Sequence, residues 1–102
     1  MNVINIAKDF SIYPAGRMKV DGPYSGEAFR ETFLEPAMVK DEPITVILDG
    51  TRGYGSSFLE EAFGGLARKG YEPQKIIKNI TIQSNQSSLH EEIKSYILHA
   101  TD

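Results

Sequence analysis

Short apolar runs and helical stripes alternate along the chain, and the first of them begins at Val3. Alternating apolar residues predict a strand that starts there and continues through Ile12. Residues 13–16, Tyr-Pro-Ala-Gly, are typical of a turn, and residues 17–20 predict a short edge strand that returns along the first. We therefore expect an N-terminal hairpin.

A helix is predicted to follow the chain break at residues 21–23. Ser25 suits its N-cap, because a serine hydroxyl accepts a hydrogen bond from an N–H group of the first turn. Pro36 lacks an N–H and falls inside the apolar stripe. The helix is therefore expected to kink or end near Leu34, with a further turn as far as Val39 left open.

The run at residues 44–48, Ile-Thr-Val-Ile-Leu, predicts the central strand of a sheet. It is mostly β-branched and apolar, and it is bounded by Pro43 on one side and by Asp49 and Gly50 on the other. Such a run is typical of a strand that is covered on both faces.

A second helix is predicted over residues 58–67. Its apolar positions fall on one stripe, while Glu60 and Glu61 lie outside the stripe. Ser57 and Glu60 have the spacing of a capping box, and Gly70 fits the position just past the last turn. This stripe is expected to pack on the sheet.

Two adjacent glycines, Gly64 and Gly65, interrupt this second helix. Each costs about 1 kcal/mol relative to alanine in a helix interior. We expect a close approach of the helix to the sheet to offset that cost.

The remaining pattern predicts a strand near residues 79–83 and a terminal helix that begins near Ser88. A strand, a helix and a strand in succession favour a parallel pair joined by a right-handed crossover. The predicted fold is α/β, a small mixed sheet of about four strands with three helices, in one domain that spans residues 1–102.

The composition of the chain disfavours several classes of function. The chain has 14 acidic and 11 basic residues, and the basic residues are scattered, which disfavours a nucleic-acid surface. The absence of cysteine excludes a disulfide framework and a thiolate metal site. No segment approaches the roughly 18 apolar residues that a membrane helix needs, so we expect no membrane contact and a cytoplasmic location.

Catalytic and metal chemistry find little support in the sequence. Both histidines, His90 and His99, fall in the predicted terminal helix. Neither belongs to a nucleophile motif, and His90 has no second cluster of ligands at a suitable spacing. We expect no catalytic residue, no metal and no cofactor.

The glycine-rich loop of residues 50–57 joins the central strand to the second helix. Backbone N–H groups of such a loop can hold a phosphate. The loop lacks the lysine and the Gly-Lys-Ser/Thr ending of a P-loop, and it lacks the full GxGxxG spacing. A nucleotide or anion site is thus one interpretation, and a turn that needs glycine for its backbone angles is the simpler one.

Ser56 and Ser57 stand where this loop enters the helix. A phosphate there would gain from the free N–H groups and the helix dipole, and it would place about two negative charges on a docking surface. The simpler interpretation is that both serines only cap the helix. Arg52 and Tyr54 are further candidate anchors for a partner, since arginine and tyrosine are common in interfaces.

Three motifs carry a family resemblance: Pro-Ala-Gly-Arg at residues 14–17, GPYSGEAFRE at residues 22–31, and GYGSSFLEEAFGGLAR at residues 53–68. On these motifs the chain resembles the STAS-like family of unknown function, small bacterial and phage-encoded domains related to the STAS domains of anti-sigma-factor antagonists. The resemblance implies a strand-to-helix turn that a partner kinase phosphorylates on a serine or threonine. By position, Ser56 and Ser57 match that turn, although Gly55 stands where an aspartate usually precedes the serine.

The resemblance also implies a partner, a histidine-kinase-like ATPase or an anti-sigma-type kinase that binds around this turn and the helix after it. Our hypothesis is a non-enzymatic regulatory domain that docks through the surface of residues 53–65. The alternatives are a nucleotide- or anion-binding domain that uses the loop of residues 50–57, and a module that assembles with itself, for example as a homodimer. The expected partner-binding residues are Arg52, Tyr54, Gly55, Ser56, Ser57, Glu60 and Glu61.

Overall fold

A three-stranded parallel sheet organises the protein, whose computed structural model describes residues 2–102. The strands are β1 (Asn2–Asn5), β2 (Ile44–Ile47) and β3 (Ile80–Gln83), in the order β1-β2-β3. Asn2 lies beside Ile44, which in turn lies beside Ile80. The predicted central position of β2 and its parallel pairing with β3 are both confirmed.

The predicted N-terminal hairpin is wrong, and the sheet has three strands rather than about four. β1 ends at Asn5, and the chain turns at once into a π-helical turn, Ile6–Phe10. The Asn5 side chain accepts a hydrogen bond from the Lys8 N–H, and Asp9 accepts one from the Asn5 N–H. These local bonds offer the backbone an alternative to a longer strand. The predicted second strand is replaced by a 3₁₀ turn, Lys19–Asp21.

Helices account for most of the remaining structure, and they exceed the three that were predicted. Helix α1 joins the α-helical segments Gly26–Phe29 and Glu35–Val39 through the π-helical segment Arg30–Leu34. Helix α2 joins Ser56–Leu59 and Gly65–Arg68 through the π-helical segment Glu60–Gly64. Helices α3 (Pro73–Asn79) and α4 (Ser87–His99) follow. The sequence pattern predicts a strand near residues 79–83 and no helix before it, so α3 departs from the prediction.

Helix α1 begins as predicted and continues past its proline. The Ser25 hydroxyl accepts a hydrogen bond of 3.1 Å from the Ala28 N–H. Pro36 has no N–H to give the preceding turn. The π-helical segment lies directly before it, and the Glu35 N–H donates to the Arg30 carbonyl. Widening the helix at this point lets the chain run on to Val39.

The helices pack against one face of the sheet, so the prediction that β2 is covered on both faces is wrong. Ile44, Val46 and Leu48 are buried against the helices, whereas Thr45 and Ile47 on the other face are only partly buried. The neighbours of Thr45 on that face, Val3 and Thr81, are exposed. The core therefore lies between the sheet and the helices, and its buried apolar residues are Ile6, Phe29, Leu34, Ala37, Met38, Ile44, Val46, Leu48, Phe58, Leu59, Ala62, Phe63, Leu66, Ala67, Ile76, Ile80, Ile93 and Ile97.

Helix α2 lies between α1 and α4, and its two glycines approach those elements rather than the sheet. A Cβ atom on Gly64 would lie 3.0 Å from the Tyr96 carbonyl oxygen of α4, and one on Gly65 would collide with the Arg30 side chain of α1. The expected approach to the sheet is therefore wrong, although close packing does explain the glycines. Gly70 ends the helix as predicted: its φ is +107°, and the Tyr71 N–H donates to the Leu66 carbonyl.

Candidate functional site

The turn between β2 and α2 lies at the carboxyl edge of the sheet and is tied to its neighbours by two hydrogen bonds. The Tyr54 hydroxyl donates to the Leu48 carbonyl at 2.6 Å, and Asp49 Oδ1 accepts from the Asn85 N–H at 3.0 Å. Burial raises the pKa of Tyr54, so the phenol stays protonated as a donor. The turn is therefore held in place by the ends of both β2 and β3.

A small cleft of about 150 Å³ opens between this turn and the loop after β3. Gly50 and Gly53 adopt φ angles of +101° and +122°, which other residues rarely adopt, so the predicted need for glycine here is confirmed. Of the residues that line the cleft, Asp49 is the one that carries a charge. A carboxylate in this position disfavours the binding of a phosphate.

Ser56 and Ser57 are exposed and form the first two residues of α2. The N-cap residue is Gly55, with φ −77° and ψ 151°, and no side chain caps the helix. The predicted capping box is therefore wrong, because Ser57 already lies inside the first turn and Glu60 binds arginines instead. Within residues 2–102 the structure records no hydrogen-bond partner for either serine hydroxyl.

Arg52 joins this turn to the long loop that precedes α1. Its N–H donates to the Ile12 carbonyl at 2.8 Å, and its guanidinium carbon lies 5.8 Å from the centre of the Tyr13 ring. The loop exposes several large apolar side chains, among them Tyr13, which is 60% exposed, and Val20, which is 92% exposed. The sequence did not predict this surface, because its pattern assigns residues 3–12 and 17–20 to the strands of a hairpin.

Glu60 and Glu61, both predicted to meet a partner, instead belong to an intramolecular ion-pair network. Glu60 Oε1 lies 2.5 Å from Arg17 Nη1, and Glu60 Oε2 lies 2.6 Å from Arg68 Nη1. Glu61 Oε2 lies 2.5 Å from Nη1 of Arg30, whose side chain is only 3% exposed. Glu61 is buried, so its predicted place on the solvent side of the helix is wrong.

The network is electrically balanced, and within residues 2–102 no buried side-chain nitrogen or oxygen atom lacks a hydrogen-bond partner. The same Arg30 Nη1 donates to the Glu61 carbonyl, and Arg30 Nε donates to Glu35 at 2.8 Å. Burial alone would raise the pKa of Glu61, but the neighbouring arginines outweigh it and hold that pKa below its ordinary value. The pKa of Glu60 is also lowered, chiefly by its hydrogen bond from Arg68. Both carboxylates are therefore charged and engaged at neutral pH.

The structure thus divides the predicted partner-binding residues into two groups. Arg52, Gly55, Ser56 and Ser57 are exposed on one turn, with Tyr54 partly buried beside them. Glu60 and Glu61 instead form ion pairs with arginines of the same chain. The docking surface predicted over residues 53–65 is therefore largely inaccessible beyond Ser57, because α1 and α4 cover most of α2.

The two histidines lie on α4 and are exposed, and His99 Nδ1 lies 2.6 Å from Asp102 Oδ2. Among residues 2–102, no group of three or more His, Cys, Asp or Glu side chains is arranged to hold a metal ion. The same part of the chain contains no helix with the length and apolar character needed to cross a membrane.

Comparison with known proteins identifies a family for this chain. No curated protein and no solved structure matches the chain significantly. A family model described as a STAS-like domain of unknown function matches residues 25–90, which include α1, β2, the Ser56–Ser57 turn, α2, α3 and β3. Because that match covers well over half of the chain, the protein belongs to the family of STAS-like domains of unknown function.

Proposed function

We propose that the protein is a non-enzymatic regulatory domain that docks on a protein partner through the turn of residues 52–57, and that phosphorylation of Ser56 or Ser57 switches the docking. The observation that carries the proposal is the exposure of both serines at an α2 N-terminus that no side chain caps. The resemblance to anti-sigma-factor antagonists supports a histidine-kinase-like ATPase or an anti-sigma-type kinase as the partner.

A phosphate on either serine would change the charge of this surface without disturbing the fold. The first N–H groups of α2 have no partners within the helix, so they can donate to phosphate oxygens. Both hydroxyls point away from the core, since both residues are exposed whereas Phe58 and Leu59 behind them are buried. The added charge would therefore act on a docked partner rather than on the folding of the domain.

The accessible docking surface extends from the turn toward the loop before α1. Arg52, four residues before Ser56 on the same turn, lies over the ring of Tyr13, and its N–H donates to the Ile12 carbonyl. A cation on an aromatic ring, next to exposed apolar side chains, is a common composition for a protein interface.

The test is a pull-down from the host organism followed by titration calorimetry with the captured ATPase. The change of both Ser56 and Ser57 to glutamate should weaken binding at least tenfold, while the change of both to alanine should leave it close to wild type. The change of both Ser87 and Ser88 to glutamate is the matched control, because these are the exposed first two residues of α4, as Ser56 and Ser57 are of α2, and they receive the same charges in the same helical positions. Equal affinities for all three variants would contradict the switch.

A thermal-shift screen distinguishes the proposed docking function from the alternative, a nucleotide or anion site in the loop of residues 50–57. A ligand at about 100 times its dissociation constant adds roughly 2.7 kcal/mol of stability. We expect no such shift with nucleotides or inorganic phosphate, since Asp49 lines the cleft. A clear shift that Asp49→Asn strengthens would favour the alternative.

A further inference from the structure

The outer edge of β3 carries neither a charge nor a proline, two features that often keep an edge strand from pairing. β3 pairs with β2 on one side, and within residues 2–102 no strand pairs with its other side. Its sequence, Ile-Thr-Ile-Gln, contains no charge and no proline, and three of its four residues are β-branched. Natural proteins usually protect such an edge with a charge, a proline or a bulge, so an unprotected edge suggests a surface that is covered by another strand.

An apolar groove of about 180 Å³ runs beside the same edge, between β3 and helices α3 and α4. Its floor consists of isoleucines, namely Ile77, Ile80, Ile82, Ile93 and Ile97. Ile77 and Ile82 remain partly exposed there. A strand added at β3 would bring its own side chains over this groove and remove these isoleucines from water.

The rim of the groove carries one acidic and one basic residue of α4 at a spacing of three. Glu91 and Lys94 are both exposed, and within residues 2–102 neither makes an ion pair. Three residues along a helix place two side chains on one face. Two copies of α4 that run antiparallel would therefore bring Glu91 of each copy to Lys94 of the other.

We propose that the protein forms a two-fold symmetric dimer in which β3 pairs antiparallel with β3 of a second copy. The pairing makes one continuous six-stranded sheet and places the two α4 helices side by side over the joint. Glu91 and Lys94 then form two equivalent ion pairs across the two-fold axis, so the surface is complementary to itself, as an isologous interface requires.

The other edge of the sheet does not offer the same match. The groove beside β1, lined by Phe33, Pro36 and Lys40 among others, has Lys40 as its charged residue. A two-fold pairing there would bring like charges toward each other. The second copy is thus expected at β3 and not at β1.

Sedimentation velocity on the intact chain tests the proposal, with dissociation constants measured for charge-reversal variants. Wild type should dimerise at micromolar concentrations. Glu91→Lys and Lys94→Glu should each raise the dissociation constant at least tenfold, because each places like charges across the axis, and the combined reversal should restore most of the affinity. Urea unfolding at a low protein concentration checks that each variant is folded.

Cysteine cross-linking locates the interface, since the chain has no cysteine of its own. Thr81→Cys, on the exposed face of β3, should give a disulfide-linked dimer under mild oxidation. Val3→Cys, at the exposed position beside the opposite edge, is the matched control and should not. Any of three results would overturn the proposal. The wild-type chain could stay monomeric to its solubility limit, or the dissociation constant of the dimer could be unchanged by every charge reversal. The third such result is cross-linking through Val3→Cys alone.

Discussion

At the residue scale, the contact between the Arg30 side chain and helix α2 restricts the residues around it most strongly. The guanidinium group is nearly excluded from water, donates to both the carboxylate and the carbonyl of Glu61, and fills the space over Gly65. A charge buried this deeply is tolerable because every donor bond it makes ends on a carboxylate or a carbonyl. A side chain on residue 65 would occupy the space that the Arg30 guanidinium fills, which explains the glycine at this position.

This contact predicts a reversal of sign for one substitution. In the wild-type background, Gly65→Ala should destabilise the protein by about 1–3 kcal/mol, because the new methyl group collides with Arg30. In an Arg30→Met background the same change should be neutral or stabilising by up to about 1 kcal/mol, since the backbone of Gly65 is helical and alanine favours a helix. Urea unfolding of the four proteins measures the coupling.

Arg30→Met alone should cost about 1–3 kcal/mol, because Glu61 loses its buried partner and keeps only Arg17 and Arg68, while the partly exposed Glu35 loses its ion pair. If Gly65→Ala had the same effect in both backgrounds, the collision with Arg30 would not be the reason for the glycine.

At the element scale, the crossing of α1 and α2 depends on a glycine at the first position of α1. A Cβ atom on Gly26 would strike the Phe58 carbonyl oxygen and would lie 3.0 Å from the Ala62 nitrogen. Both atoms belong to the backbone of α2, so neither can turn aside. The two helices thus approach each other as closely as their backbones allow.

Gly26→Ala should consequently destabilise the protein by about 2–3 kcal/mol, because the two helices must move apart. Ser56→Ala is the matched control, since it also changes the first residue of a helix but at an exposed position, and it should stay within about 0.5 kcal/mol of wild type. The measurement is the midpoint of urea unfolding. Equal effects of the two changes would show that helix crossing does not limit the substitution.

Elements were predictable from the sequence where one local signal dominated. The β-branched run of β2, the Ser25 cap and Gly70 after α2 were all placed correctly, because each follows from chemistry within a few residues. The hairpin failed because the Asn5 side chain closes a turn that competes with a strand. Glu61 was misplaced because its burial depends on Arg30, a distant residue whose position periodicity does not reveal.

The candidate site was predictable only in part, and for a related reason. The sequence located the turn and its two serines, since glycine and serine mark the start of a helix. It did not reveal that α1 and α4 cover the rest of α2, or that Tyr13 lies beside Arg52. Those facts depend on how distant elements pack, and local patterns carry no information about them.

At the scale of the whole molecule, one network of three arginines and three glutamates joins the loop before α1, helices α1 and α2, and the end of α4. Arg17 contributes from the loop, and Arg68 also donates to the Ala100 carbonyl at 3.3 Å. The network therefore links distant parts of the chain through charges, and its contribution to stability should depend on pH.

The pKa values of Glu60 and Glu61 are lowered in the folded protein, so the unfolded chain binds more protons than the folded one near the ordinary carboxyl pKa. Their stabilisation is complete above that value, about 4.3, and is lost as the pH falls below it. The free energy of unfolding should therefore decrease from pH 6 to pH 3 through these two groups.

Urea unfolding across this pH range checks the expectation, with Glu61→Gln and Glu72→Gln compared by slope. Glu61→Gln should flatten the decrease, whereas Glu72→Gln, at an exposed residue outside the network, should leave it unchanged. Parallel slopes for all three proteins would exclude Glu61 as a source of the pH dependence.

The order and direction of the strands determine how late during synthesis the sheet can form. Asn2 pairs with Ile44, and Ile44 pairs with Ile80, so every ladder of the sheet joins residues that are far apart in the chain. Such a topology has a high contact order, and folding must close long loops before any strand is paired. During synthesis on the ribosome, β1 must therefore wait for β2, and the sheet is complete only after residue 83 has emerged.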